Sequence, residues 1–237
     1  MPKIPIVLSE TWYKVGLRRY LEWDTDAAPH VAISGITGTG KTYLVKLLLA
    51  RISKHISEAK LTVCDFKGDK DFSFLKASKR FYRFAECLNG FNQFYEHFLQ
   101  TQKSGMAEGF HLLLFDEWAS FLNFLDKKEA EEAKKKLSSL LMLGRSFDFH
   151  IMLSQQRLDA ESFAKSRDNF NLQILLGNPS KEVAGMLFND YKDQLSNDRT
   201  RGTGYMLTNG TDFQKIIVPT ISNMETVNHY IYQGVNG

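Results

Sequence analysis

Gly35-Ile36-Thr37-Gly38-Thr39-Gly40-Lys41-Thr42 carries the pattern G-x-x-x-x-G-K-[ST]. Each residue type in it has a physical reason. Glycines let the backbone curl until successive N–H groups point inward and make a concave anion site. A helix that starts at the end of the loop adds the positive end of its dipole to the same site. Lys41 can reach the β- and γ-phosphates of a nucleotide, and the Thr42 hydroxyl can help to hold Mg²⁺. Gly35, Thr37, Gly38, Thr39, Gly40, Lys41, Thr42 and Tyr43 are therefore the candidate nucleotide-binding residues, with ATP and Mg²⁺ as the expected ligands.

The flanks fit this reading. His30-Val31-Ala32-Ile33-Ser34 is a compact apolar run, suited to a strand leading into the loop. Leu44, Val45, Leu47, Leu48, Leu49 and Ile52 follow at close to helical spacing and predict a helix over 43–52. Further strands are expected at 60–64, 110–115, 150–154 and 172–176, and helices over 91–101, 130–143 and 181–188. Segments 204–208 and 215–218 read as a closing hairpin about the turn pair Asn209-Gly210. Buried-looking strands that alternate with helices predict an α/β fold, a mostly parallel sheet covered on both faces. Two short apolar segments, 4–8 and 20–23, read as strands of a small sheet of their own. The expected organisation is an N-terminal β segment, 1–29, packing on a core of residues 30–237. The polar residues of interest fall at the carboxyl ends of the parallel strands, where such sheets bind ligands.

The 237 residues are enough for one large domain, and 43% of them are hydrophobic against 24% charged, which excludes a mainly disordered chain. No apolar run approaches the length of a membrane span, and the first residues lack the pattern of a signal peptide. Cys64 and Cys87 form neither a disulfide framework nor a metal knuckle, so a reducing, cytoplasmic setting is expected. The net charge of +3 is too small to indicate nucleic-acid binding, so any such contact must rest on local clusters.

Leu112-Leu113-Leu114-Phe115-Asp116-Glu117 is an apolar strand ending in two acids. After a phosphate loop, the first acid is placed to support Mg²⁺ and the second to act as general base on water. An acidic turn after a core strand is the bland alternative. Ile151-Met152-Leu153-Ser154 ends in Gln155 and Gln156, either of which could hydrogen-bond a γ-phosphate or the lytic water. A plain polar loop is the other reading. Arg145 follows the helix ending in Gly144. It is a candidate trans-acting arginine in phosphoryl transfer, or a charge complementing the helix end.

These residues together resemble the motor domain of the FtsK/SpoIIIE DNA translocases, within the FtsK–HerA group of ring ATPases. Ala28-Pro29-His30-Val31-Ala32-Ile33-Ser34-Gly35 resembles the family's run before the phosphate loop. Cys64-Asp65-Phe66-Lys67-Gly68 is similar to its D-P-K-G segment, with Phe66 in place of proline. Leu114-Phe115-Asp116-Glu117-Trp118-Ala119 is similar to V-D-E-F-A, and Gly202-Thr203-Gly204-Tyr205-Met206-Leu207 to G-x-G-D-M-L. Residues 144–157 are similar to R-x-x-G-I-H-L-I-x-A-T-Q-R-P.

The resemblance implies a RecA-like fold, a homo-hexameric ring with ATP between subunits, and double-stranded DNA through the pore. It makes Gln156 the sensor glutamine and Arg145 the arginine finger. It turns the segment 157–167 toward DNA, with Arg157, Lys165 and Arg167 as phosphate contacts, unless these are solvated loop charges. Lys41, Glu117, Arg145 and Gln156 are then the expected catalytic set. Thr42 and Asp116 are the expected metal-binding pair. Against the family's pattern, neither an N-terminal membrane region nor a C-terminal winged helix is expected in these 237 residues. Loading and anchoring are therefore expected from a recruiting partner, in plasmid, phage or conjugative DNA handling. The reading that follows is an ATP-driven translocase on double-stranded DNA, with single-stranded DNA as the other substrate. The alternatives are a nucleotide-gated coupling or adaptor protein of a DNA-processing complex, or a helicase.

Overall fold

In the computed structural model, which describes residues 3–106, 109–156, 160–163 and 166–237, the strand leading into the phosphate loop lies well inside a ten-stranded sheet. The elements run β1 (Ile4–Ser9), α1 (Glu10–Lys14), β2 (Tyr20–Trp23), β3 (Val31–Ser34), α2 (Lys41–His55), β4 (Lys60–Asp65), β5 (Phe81–Arg83) and α3 (Cys87–Ser104). They continue with β6 (His111–Asp116), α4 (Trp118–Phe124), α5 (Lys127–Leu143), β7 (Phe149–Gln155), β8 (Leu172–Leu176), α6 (Lys181–Leu187), β9 (Thr203–Thr208), β10 (Asp212–Ile217) and α7 (Met224–Asn236). The strand order is β2-β1-β10-β9-β8-β3-β7-β6-β4-β5. From β8 to β5 all neighbours are parallel, and from β8 to β2 all are antiparallel.

The alternation of strand and helix predicted this parallel half, and its central strands β3, β6 and β7 are buried along their whole length, as expected for sheets covered on both faces. One face packs on α2 and α7, through Leu44, Leu48, Ile52, Val227, Ile231 and Val235. The other packs on α3, α4, α5 and α6, through Phe91, Phe98, Trp118, Leu137, Leu140 and Leu187. Each of these large side chains contributes about 2 kcal/mol by leaving water. Asp126 caps α5 in a reciprocal box with Glu129, so the helix begins at Lys127. Asn209 and Gly210 both have positive φ, as a tight hairpin turn requires.

The N-terminal strands differ from the expectation of a sheet of their own. β1 pairs antiparallel with β10 as well as with β2, and so extends the main sheet. The reason is burial: Ile4, Ile6 and Val7 join the core that covers α2. Several further elements escape the periodicity, the five-residue α1 among them. β5 has only three half-buried residues, α4 is short, and α7 fills the end of the chain with an amphipathic face.

Candidate nucleotide site

The phosphate loop joins β3 to α2 and is shaped by its glycines. A Cβ at Gly35 would lie 2.5 Å from the Leu176 carbonyl oxygen and 2.9 Å from Thr39 Oγ1. Gly38 and Gly40 have φ of +87° and +102°, in the left-handed region. Thr39 turns inward, its hydroxyl donating to the Ile36 carbonyl at 2.8 Å. Lys41 folds back over the loop, with Nζ 2.6 Å from the Gly35 carbonyl oxygen and 3.4 Å from that of Ile36. Burial lowers the pKa of Lys41, while the Glu117 and Asp116 carboxylates pull it back up.

The acids sit on the neighbouring strands. Asp65, Asp116 and Ser154 are in register across β4, β6 and β7, at the carboxyl ends of all three. Burial raises Asp116 to about 7, helped by Glu117 and Asp65 and opposed by the Ser154 hydroxyl and Lys41. Glu117 has φ of +62°, a left-handed conformation that is rare outside glycine and costs about 1 kcal/mol or more. Its N–H donates to the Ser154 carbonyl at 2.7 Å, which holds the turn and starts α4.

A cavity of about 270 Å³ opens between these groups. It is lined by Thr37, Gly38, Gly40, Lys41, Thr42 and Tyr43 on the loop side, and by Asp116 and Glu117 on the strand side. The Tyr43 hydroxyl accepts the Ile221 N–H, which fixes its ring. Thr42 and Asp116 supply a hydroxyl and a carboxylate. Mg²⁺ takes one or two carboxylates plus water and phosphate oxygens, so this pair suits it. Among the described residues no group of three or more His, Cys, Asp or Glu gathers to form a protein-only metal cage.

The remaining predicted residues lie apart. Gln156, the first residue past β7, is exposed. Gln155 is buried, and neither of its amide atoms has a hydrogen-bond partner among the described residues. Arg145 is exposed in a turn before the amino end of β7, the opposite end of the strand from the cavity, and does not line the cavity of its own chain. Arg167 is half-buried, with Nε 3.9 Å from a carboxylate oxygen of Asp168. Arg157 and Lys165 fall outside the described residues.

Sequence reasoning missed several residues of the cavity wall: Lys46, Lys67, Asp69, Asp71, Arg201 and Met224. Lys67 was within reach, because it sits in the segment 64–68 that resembles the family's second-strand motif. Arg201 and Met224 arrive from the far end of the chain and carried no local signal.

The fold and the loop define a P-loop ATPase with a RecA-like mixed sheet. Residues 8–142 match the family described as Helicase HerA, central domain, and the chain belongs to that family. It is 29% identical over 207 residues to the "Ftsk domain-containing protein YdcQ" of Bacillus subtilis (strain 168), covering 80% of this chain and 42% of that protein. The chain thus spans less than half of that relative. Among solved structures, it is similar to the pCW3 conjugation coupling protein TcpA with ATPγS, at a TM-score of 0.74 and 16% identity, over 96% of this chain and 69% of that one. It is also similar to the cytoplasmic domain of the Type VII secretion ATPase EccC of Thermomonospora curvata, at 0.73 and 18% identity, over 99% of this chain and 31% of that one. Among the described residues, no helix is long and apolar enough to cross a membrane.

Proposed function

We propose that this chain is the motor of an ATP-hydrolysing DNA translocase. The observation that carries the reading is the cavity that sets Lys41 and Thr42 of the loop against Asp116 and Glu117 of β6 and its following turn. In this reading the loop residues Gly35, Thr37, Gly38, Thr39 and Gly40 cradle the phosphates, with Tyr43 beside them. Lys41 exchanges its two carbonyl partners for phosphate oxygens, which are stronger acceptors because they are charged. Thr42 and Asp116 would hold Mg²⁺, which when bound would supply positive charge against the phosphates. Glu117 takes the proton of the attacking water. Gln156 senses the γ-phosphate, and Arg145 comes from the neighbouring subunit of a homo-hexamer.

The DNA part of the reading is supported by the FtsK-domain relative and the likeness to a conjugation coupling protein. Double-stranded DNA would be gripped through its backbone, without reading sequence, by Arg157, Lys165 and Arg167. Residues 30–237 act as the motor and 1–29 as the β segment at its edge. The setting is cytoplasmic, with a recruiting protein of a DNA-processing complex supplying loading.

The test is the steady-state ATPase rate with and without long duplex DNA at low salt, with Lys41→Ala as the blank. Strong stimulation that is absent in the blank and falls with salt is the expected result. A rate that ignores both duplex and single-stranded DNA overturns translocation. It leaves a nucleotide-gated coupling protein, the second reading, which the likeness to a coupling protein favours.

A further inference from the structure

The turn at residues 200–203 is strapped to the phosphate loop. The Gly202 N–H donates to the Thr39 carbonyl at 3.0 Å, and the Gly202 carbonyl accepts the Val218 N–H at 2.7 Å. Gly202 makes this possible with φ of +78°. Arg201, one residue earlier, is thereby laid against the loop: a Cβ built at Gly40 would lie 3.9 Å from Arg201 Cγ. Its side chain lines the same cavity as Lys41, Thr42 and Glu117.

Two arginines of this segment have opposite fates. Arg199 is 7% exposed, paired with Glu10, and donates from Nε to the Tyr205 hydroxyl at 3.0 Å. Its charge is satisfied within the fold. Arg201 has no hydrogen bond or ion pair among the described residues, although Asp116, Glu117, Asp69 and Asp71 line the same cavity. A guanidinium that the backbone holds at the mouth of an anion site, and that no protein carboxylate neutralises, is set to receive an anion.

We propose that Arg201 is a cis-acting phosphate contact of the nucleotide, a second cation that joins Lys41 on the phosphate chain of a nucleoside triphosphate. The inference rests on the nucleotide reading of the cavity. Because the turn is bonded to the loop of the same chain, this contact needs no neighbouring subunit, unlike that of Arg145. Losing a charge-assisted contact to phosphate corresponds to about tenfold or more in affinity.

The experiment is titration of the full chain with a fluorescent ATP analogue, using Arg201→Ala, Arg201→Lys and Lys41→Ala, with melting curves of each protein free of nucleotide. Arg201→Ala should raise the Kd about tenfold and leave the melting temperature of the free protein unchanged. Arg201→Lys, which keeps the charge, should restore most of the affinity. Wild-type affinity in Arg201→Ala, together with lost binding in Lys41→Ala, would sink the proposal and leave the nucleotide site standing. A lowered melting temperature in Arg201→Ala, with affinity not restored by lysine, would make the role structural and overturn the contact. No binding by the wild-type chain would remove the nucleotide reading and this inference with it.

Discussion

Replacing His150 by Phe should remove a defined part of this protein's sensitivity to acid. His30 and His150 are both buried, near the amino ends of β3 and β7 and away from the cavity. His150 Nδ1 lies 2.9 Å from the Pro29 carbonyl oxygen, so the neutral ring donates from that atom. Its ring stacks on Phe110 at 4.3 Å. His30 Nδ1 accepts the Ile151 N–H at 3.1 Å. Burial drives the pKa of His30 down to about 3, with the neighbouring His150 adding to the effect. It drives His150 down to about 4, against the opposing pull of the Pro29 carbonyl and the Asp26 carboxylate. Both folded values lie below the ordinary 6.5. Below pH 6.5 the unfolded chain therefore takes up protons that the folded chain refuses, and stability falls with pH until the folded values are reached. By pH 5 the loss is about 2 kcal/mol for each histidine.

Asp116 acts with the opposite sign. Its folded value of about 7 exceeds the ordinary 3.8, so the folded chain binds its proton first and gains stability as pH falls through 7. The total slope is therefore a poor test, and the difference between two proteins is a good one. Phe keeps the stack on Phe110 and loses the bond to Pro29, a roughly constant cost of about 1 kcal/mol. The pH-dependent part should shrink by about 2 kcal/mol between pH 7.5 and 5. Urea unfolding at several pH values, read from the fluorescence of buried Trp23 and Trp118, measures this directly. If wild type and His150→Phe lose the same stability between pH 7.5 and 5, the buried histidine is not the acid-sensitive group.

Glu117→Gln should bind ATP as wild type does and turn it over at least about 100-fold more slowly; equal loss of binding and turnover in a single-turnover assay would count against a base. Lys41→Ala should lose most nucleotide affinity in a filter-binding or fluorescence titration. An equal mixture of Lys41→Ala and Arg145→Ala chains, each inactive alone, should regain up to about a quarter of the wild-type rate if the arginine acts across a subunit boundary; no recovery after confirmed co-assembly would place Arg145 outside the site. Gly204→Ala would set a Cβ 2.0 Å from the Leu175 carbonyl oxygen on the adjacent strand, and should cost about 3 kcal/mol or more in chemical unfolding.

Local chemistry made the central part of this molecule legible. The phosphate loop announces itself because glycine, lysine and threonine are needed at fixed spacing, and the apolar strands 31–34, 111–116 and 149–155 are continuous because both their faces are covered. What escaped depends on distant parts of the chain. The place of β1 beside β10 depends on a pairing between residues about two hundred positions apart. Asp65 looked like part of a motif, whereas its burial beside Asp116 follows only from the register of β4 on β6. Arg201 carried no pattern of its own, because its position comes from one backbone bond between Gly202 and Thr39. Gln155 and Gln156 were equivalent as letters, and the alternation of side chains at the end of β7 sends one inside and leaves the other exposed.

The seam between β1 and β10 also sets an order of events during synthesis. β1 leaves the ribosome about two hundred residues before its partner strand, Asp212–Ile217. Until that partner emerges, β1 and β2 are a two-stranded ribbon with an apolar face, too small to be stable alone. The α2 surface that later receives α7 is bare for just as long. Nascent chains therefore pass through a long interval with an open strand edge and uncovered apolar surface, the condition under which chaperones hold a protein and aggregation competes with folding. A chain stopped at residue 210 should collect in the insoluble fraction even though its phosphate loop is complete.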